Sequence, residues 1–364
     1  MTSATALVLE GERRLVRREL PLPAIGDDDA LLRVEACGLC GTDHELFTGA
    51  VAWPPGFVPG HETVGVVEQI GGGAAARWGV AAGDRVAVGN RRACRECEPC
   101  RAGDLARCVR FGAPASYGLT PVAQPPALWG GYATHHYLAP ESVVHPVPEA
   151  LSAEVATLFN PVGAGLCWAV DAPATRPDEV VAILGPGVRG VAAAAAVKAA
   201  GAGFVMVTGY GPRDAPRLET AKRFGADLVV DVAVDDPVEA LQDAAGRLAD
   251  VVVDVTAKSA SAFTQAVELA AKRGRVVIGG ICGNAVTVTL SPDIVPMREL
   301  QLIGVSGVAT DAHRRALELV GSGRFPFESL PRGTAGFDDV DELLATMAGE
   351  TDRTPPLHAV FVPR

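Results

Sequence analysis

A two-domain α/β chain is the expectation, with an irregular, mostly β part joined to a doubly wound parallel sheet. Three observations lead there. The chain has 364 residues, more than one hydrophobic core usually holds. Up to about residue 150, short Val-rich and alternating runs are broken by Gly, Pro and Asp, as in strands joined by turns. From about residue 178, apolar runs of about five or six residues alternate with amphipathic stretches of about 10 to 15, the signature of βαβ units.

In chain order, ALVLE, ALLRVEA, TVGVVEQIG, DRVAVG and YATHHYLA read as strands of the first part. EVVAILG then opens the parallel series and an Ala-rich helical run follows it. FVMVTG, DLVVDV, ADVVVDVT and GRVVIGG are its next strands, with PRLETAKRFGA, DPVEALQDAAGRL and SASAFTQAVELAAKR as the helices between them. LQLIGVSG and DAHRRALELVGSG carry the pattern to about residue 323, and HAVFV is a last strand that returns to the first domain.

Composition narrows the function. Hydrophobic residues at 48% and charged residues at 21% fit a soluble globular protein. A net charge of −11 argues against nucleic acid or an anionic membrane as partner. The N-terminal MTSATALVLEGERRLVRREL has no long apolar stretch of the signal-peptide kind. The richest apolar run, VAAAAAVKAAGAGFVMV, is interrupted by Lys198 and is too short for a membrane span. A cytoplasmic protein is expected.

Eight cysteines are present: Cys37, Cys40, Cys94, Cys97, Cys100, Cys108, Cys167 and Cys282. In such a chain they read as metal ligands or core residues rather than disulfides. RRACRECEPCRAGDLARC places Cys94, Cys97, Cys100 and Cys108 in one polar segment. Four thiolates fit a closed tetrahedral Zn²⁺ site that stabilises a loop too polar to build its own core.

CGLCGTDHELFTG holds Cys37 and Cys40, and GHETVG holds His61 and Glu62. A thiolate, an imidazole and a carboxylate are all zinc ligands. With the four-cysteine lobe and the glycine-rich turn below, CGTD and GHE resemble the zinc-dependent, medium-chain alcohol and polyol dehydrogenases over nearly the whole chain. The resemblance implies a GroES-like catalytic domain (1–153 and 308–364, with the zinc lobe near 90–110) and a Rossmann domain (154–307). It implies Cys40 and His61 as ligands of a catalytic zinc, Cys37 as core, and Asp43 orienting the His61 imidazole. Glu62 matches a carboxylate that in relatives binds the metal or stands just behind it.

Asn160, alone in the apolar ATLFNPVGAGLCWAV, aligns with the last protein ligand of the relatives. Three readings compete. Asn160 binds zinc directly; it binds through water with Glu62 as the direct ligand; or it closes a turn. Cys167, seven residues on, lies too far along a helix to replace it and reads as core. Charge balance favours Glu62 at the metal, since Cys⁻ and Glu⁻ neutralise Zn²⁺.

EVVAILGPGVRGVAAAAAVKAAG places Gly185, Gly187 and Gly190 between an apolar strand and a helix, where a dinucleotide pyrophosphate meets Val188, Arg189 and the helix N-terminus. The second strand ends at Gly209, where an acidic residue would hold the ribose hydroxyls of NAD. Arg213 and Arg217 follow and could grip a 2′-phosphate, or stand as solvated charges. NADP(H) is preferred, with NAD(H) possible.

By resemblance, hydride passes between an alcohol or carbonyl carbon and the nicotinamide, with zinc as Lewis acid. Thr42 matches the relay hydroxyl. Many relatives carry His five residues after the cysteine, where this chain has Glu45 preceded by His44, so the final proton acceptor is one of these or water. Trp53, Phe57, Tyr117, Trp129 and Phe159 read as cleft-lining or core. Aromatic lining favours an apolar alcohol, whereas the motif spacing is similar to that of sorbitol and threonine dehydrogenases, so the substrate stays open. A homodimer or homotetramer is expected. Two rivals remain: a zinc-free reductase of the same superfamily, and a nucleotide-binding sensor without turnover.

Overall fold

The computed structural model describes residues 2–257, 259–281 and 286–364; Cys282 lies outside them. The chain divides into two compact units. Unit 1 comprises Met1–Asn160, Ala309–Ser322 and Phe327–Arg364, and unit 2 comprises Pro161–Val308 and Gly323–Pro326.

Unit 1 is built on strands β1 (Ser3–Gly11), β2 (Arg14–Pro21), β3 (Ala30–Gly38), β4 (Glu62–Ile70), β5 (Arg85–Val88), β6 (His135–Leu138) and β7 (Val144–Pro146). β1 and β2 form an antiparallel hairpin. β2 is mostly exposed, with a charged sequence that hid it from the apolar-run reading. β3 is the central strand: it pairs antiparallel with β4 and β6. Its buried Ala30, Leu31, Leu32 and Val34 supply core on both faces.

Unit 2 contains β8 (Val180–Leu184), β9 (Phe204–Gly209), β10 (Leu228–Asp231), β11 (Ala249–Asp254), β12 (Ala270–Ile278) and β13 (Gln301–Gly304). Among the described residues these form one six-stranded sheet in the order β10-β9-β8-β11-β12-β13, with every ladder parallel. This is the doubly wound order of dinucleotide-binding sheets, with its reversal between β8 and β11. The buried VVAIL of β8 follows from helices covering both faces. Local chemistry sets the helix ends. For Pro237–Ala245, Asp236 accepts the N–H groups of Val238 and Glu239, Pro237 starts the helix, and Gly246 closes it at φ +69°.

β14 (Arg332–Ala335) and β15 (His358–Phe361) complete unit 1. The HAVFV segment returns as expected: β15 pairs antiparallel with β3, Phe361 opposite Cys37 and Val360 opposite Gly38. The helix Thr310–Gly321 also clusters with unit 1, although its pattern continues the series before it. The stretch Ala153–Asp171, rather than the Ala-rich run, is long and apolar enough to cross a membrane, and 72% of its apolar window is buried inside the protein.

Candidate active site and metal centres

Among the described residues, two clusters of side chains that could hold a metal ion stand in unit 1. In the first, the sulfurs of Cys94, Cys97, Cys100 and Cys108 lie within 4.8 Å of one another, with none in a disulfide. Cys94 and Cys100 approach at 4.0 Å, as do Cys97 and Cys108. Backbone N–H groups point into the cluster, Cys97 N to Cys94 Sγ and Cys94 N to Cys108 Sγ, both at 3.3 Å. The N–H groups of Cys100 and Val109 draw the Cys97 thiol down to about 6, whereas burial and its neighbours' sulfurs push Cys100 up to about 12. Four crowded sulfurs cannot all ionise unaided, and a dication removes that conflict. The apolar core here is small, centred on Ala93, Cys100, Cys108 and Val143, so the donor set fits a structural zinc.

The second cluster joins the end of β3 to the start of β4. Cys40 is the N-cap residue of the short helix Gly41–Phe47. Asp43 ties the turn together: its Oδ2 accepts Cys40 N–H at 2.8 Å, and its Oδ1 lies 3.4 Å from His61 Nδ1. With Nδ1 facing a carboxylate, Nε2 is left to ligate, which is the orienting arrangement expected of a metal histidine. Asp43 and the neighbouring Cys40 outweigh burial and hold the His61 imidazole well above its ordinary value. Cys40, His61 and Glu62 each offer a ligand atom, all within 4.8 Å. Cys40, Asp43 and Glu62 are all buried. Gathering thiol and carboxylate groups at so little exposure is unfavourable without a cation, so this set too fits a zinc.

Register explains the Glu62 position. β3 and β4 pair with Gly38 opposite Glu62, and a Cβ on Gly38 would fall 2.2 Å from Glu62 Oε2. Only glycine leaves that room. Cys37 is fully buried against Thr63 and pushed far up by burial; it is a core thiol.

Asn160, 7% exposed, meets the cluster through its amide nitrogen. Nδ2 donates to Glu62 Oε1 at 2.7 Å, and Oδ1 lies 3.3 Å from Nε2 of His313. A carboxylate only accepts, so the group facing it must be the NH₂. The amide oxygen, the atom able to ligate a metal, is turned to His313. Sequence reasoning missed His313. The available signal was a histidine on the apolar stripe of Thr310–Gly321, in register with Ala316, Leu317 and Val320.

Thr42 and Glu45 are half-buried on the helix that follows Cys40. His44 is buried, and its Nε2 lies 2.8 Å from Oε1 of Glu350, itself gripped in bidentate fashion by Arg13. Four of the five aromatic candidates are core. Phe57, Tyr117, Trp129 and Phe159 are at most 3% exposed. Tyr117 bonds Ser142 and Ala139 N, and Trp129 donates to Gln124 O. Half-buried Trp53 donates to Leu119 O and, with Leu9, Leu46, Pro54 and an edge of Phe57, borders an open groove of about 490 Å³.

In unit 2, the turn after β8 is tight and leaves its backbone open to close approach. Gly185 adopts φ +101°. A Cβ on Gly190 would meet Gly185 O at 1.8 Å, while a Cβ on Gly187 would meet nothing within 4 Å, leaving open space at the start of helix Val188–Ala199. The Arg189 guanidinium sits 5.2 Å over the Trp168 ring. At the end of β9, Gly209 is packed against Asp214 and Pro186. Asp214 accepts Tyr210 N–H at 3.0 Å and pairs with Arg217 at 3.2 Å. Asp231 accepts Gly211 N–H at 2.7 Å. Arg213 is exposed. The sequence reading looked for a carboxylate at position 209 and overlooked Asp214 and Asp231, which the fold brings back to the same strand end.

The chain is similar to known proteins in both sequence and fold. Residues 26–149 match the alcohol dehydrogenase GroES-like domain and residues 187–322 the zinc-binding dehydrogenase domain. The chain is 59% identical over 359 residues to a Mycobacterium tuberculosis (strain CDC 1551 / Oshkosh) protein named "Probable alcohol dehydrogenase adh", covering 98% of each. It is 31% identical to the erythritol/L-threitol dehydrogenase of Mycolicibacterium smegmatis (strain ATCC 700084 / mc(2)155), covering 89% of each. Among solved structures, a protein of Sinorhizobium meliloti 1021 described as a zinc-binding dehydrogenase and bound to NADP superposes with a TM-score of 0.85 at 27% identity, covering all of both chains. Matched from end to end in sequence and fold, the chain belongs to the zinc-dependent alcohol and polyol dehydrogenases of the medium-chain dehydrogenase superfamily.

Proposed function

We propose that this oxidoreductase interconverts an alcohol and its carbonyl with NADP(H), using Cys40, His61 and Glu62 as the ligands of its catalytic metal. The observation that carries the ligand set is the Asn160 amide, which presents N–H rather than oxygen to Glu62. Zinc bound there supplies Lewis acidity toward the substrate oxygen. Asp43 keeps His61 in the ligating tautomer. Thr42 passes the substrate proton outward. His44 is committed to Glu350, so half-buried Glu45 or water receives that proton. The glycine turn Gly185, Gly187 and Gly190, with Val188 and Arg189, holds the pyrophosphate.

The cofactor preference rests on Arg213. Arg217 is held by Asp214, whereas Arg213 is exposed and carries no carboxylate partner among the described residues, ready for a 2′-phosphate. The edge strand β13, with exposed Leu302 and nearby Met297, supports a homo-oligomer formed through the sheet edge.

The ligand set is tested by elemental analysis of protein purified without added zinc or chelator. About two zinc ions per chain are expected, falling by one in Cys40→Ser; a wild-type value near one overturns it. The cofactor reading is tested by kcat/KM with NADP and NAD. Arg213→Ser should cost about tenfold with NADP and leave NAD unchanged.

A further inference from the structure

The Asn160 side chain could sit in its pocket in two nearly isosteric ways, related by a half-turn of the amide. One presents N–H to Glu62, the other presents oxygen. Glu62 itself prefers N–H, but a bound cation attracts the oxygen. The orientation therefore needs a second partner that donates and does not accept at the other end of the amide.

His313 meets that requirement. It is 3% exposed, and its ring is packed edge-on by Phe159 at 5.0 Å and His145 at 5.5 Å between centroids. Nε2 faces Asn160 Oδ1 at 3.3 Å, and Nδ1 is buried without a partner among the described residues. A neutral imidazole carries one N–H. An amide oxygen only accepts, so the proton is on Nε2, and the bare Nδ1 is left facing packed side chains. A phenyl ring would pack as well as this imidazole and leave no stranded nitrogen. The gain that offsets the stranded atom is the bond to Asn160.

We propose that His313 is a positioning residue: its Nε2–H sets the Asn160 amide, and the amide N–H in turn holds the Glu62 carboxylate at the metal. The chain Glu62–Asn160–His313 lies wholly within unit 1. The proposal rests on Glu62 being a ligand, as argued above.

The experiment is zinc release from the full-length holoenzyme into a chromogenic chelator, paired with the visible spectrum of the cobalt-substituted protein. His313→Phe keeps the packing and removes the N–H. It should speed release of one of the two zinc ions by about 10- to 100-fold and alter the cobalt d–d bands. His313→Gln, which can donate to the same oxygen, should restore the wild-type rate and spectrum. In an Asn160→Ala background His313→Phe should add nothing, since its path to Glu62 is already cut. If H313F does not fold, H313M takes its place. Wild-type release and an unchanged spectrum in H313F overturn the proposal, as does a full H313F effect in the N160A background. Wild-type protein holding one zinc per chain overturns the Glu62 ligand set itself, and is recognised without any variant.

Discussion

The two candidate metal sites of unit 1 are built on opposite principles. The lobe of Cys94, Cys97, Cys100 and Cys108 draws four identical donors from one short segment with little apolar core around it. The Cys40 centre draws unlike donors from the ends of two paired strands and rests on a buried chain through Asn160 to His313. In the first, a bound metal would substitute for a core. In the second, the core comes first and a metal would occupy it. Removing metal should therefore unfold the one and only silence the other.

The largest effect is expected at the lobe. Cys100→Ser should remove one zinc and destabilise unit 1 by more than roughly 4 kcal/mol, read as a fall in denaturation midpoint. A stable, zinc-depleted C100S protein would break the comparison. Cys40→Ala should invert the pattern, with kcat/KM falling by about a thousandfold or more while the midpoint moves little. A large loss of stability in C40A would mean that this metal too is structural.

Gly38→Ala sharpens the contrast. The added methyl would collide with Glu62 Oε2, and relieving it means moving the carboxylate. Activity should drop by about ten- to a hundredfold, with overpacking costing about 1–3 kcal/mol. An active G38A enzyme would show that Glu62 has freedom its register does not suggest.

Acid response separates metal loss from the protein core. Burial pushes His136 and His358 down to about 3 and, with Arg314, His145 down to about 4. Their folded pKa values lie below the ordinary 6.5. The unfolded chain therefore binds more protons between about pH 3 and 6.5. Stability is full above pH 6.5 and declines as pH falls through that window, by on the order of 1 kcal/mol or more per histidine at pH 5. Denaturation midpoints at pH 7.5 and 5.0 should show the decline in C40A as in the parent, and His136→Phe should reduce it. A C40A protein that lost the decline would tie acid lability to the metal instead.

Much of this was legible in the chain alone. Apolar runs five or six residues long alternating with amphipathic stretches dictate a parallel sheet, because strands covered on both faces carry no polar face to alternate. The clustering of the four cysteines is legible because they are neighbours in sequence. The Gly185–Gly190 turn is legible for the same reason, since its conformation is local. What tertiary structure decided is which distant groups converge. Glu62 gains its place because strand register sets Gly38 opposite it. Asn160 turns its nitrogen inward because a helix some 150 residues later brings His313 to its oxygen. His44 meets Glu350 only because the C-terminal segment brings that carboxylate to it. Phe57, Tyr117, Trp129 and Phe159 looked like pocket or core, and burial made them core. Residue type and local spacing determine what a side chain can do; the partners it meets across the fold select which of those things it does.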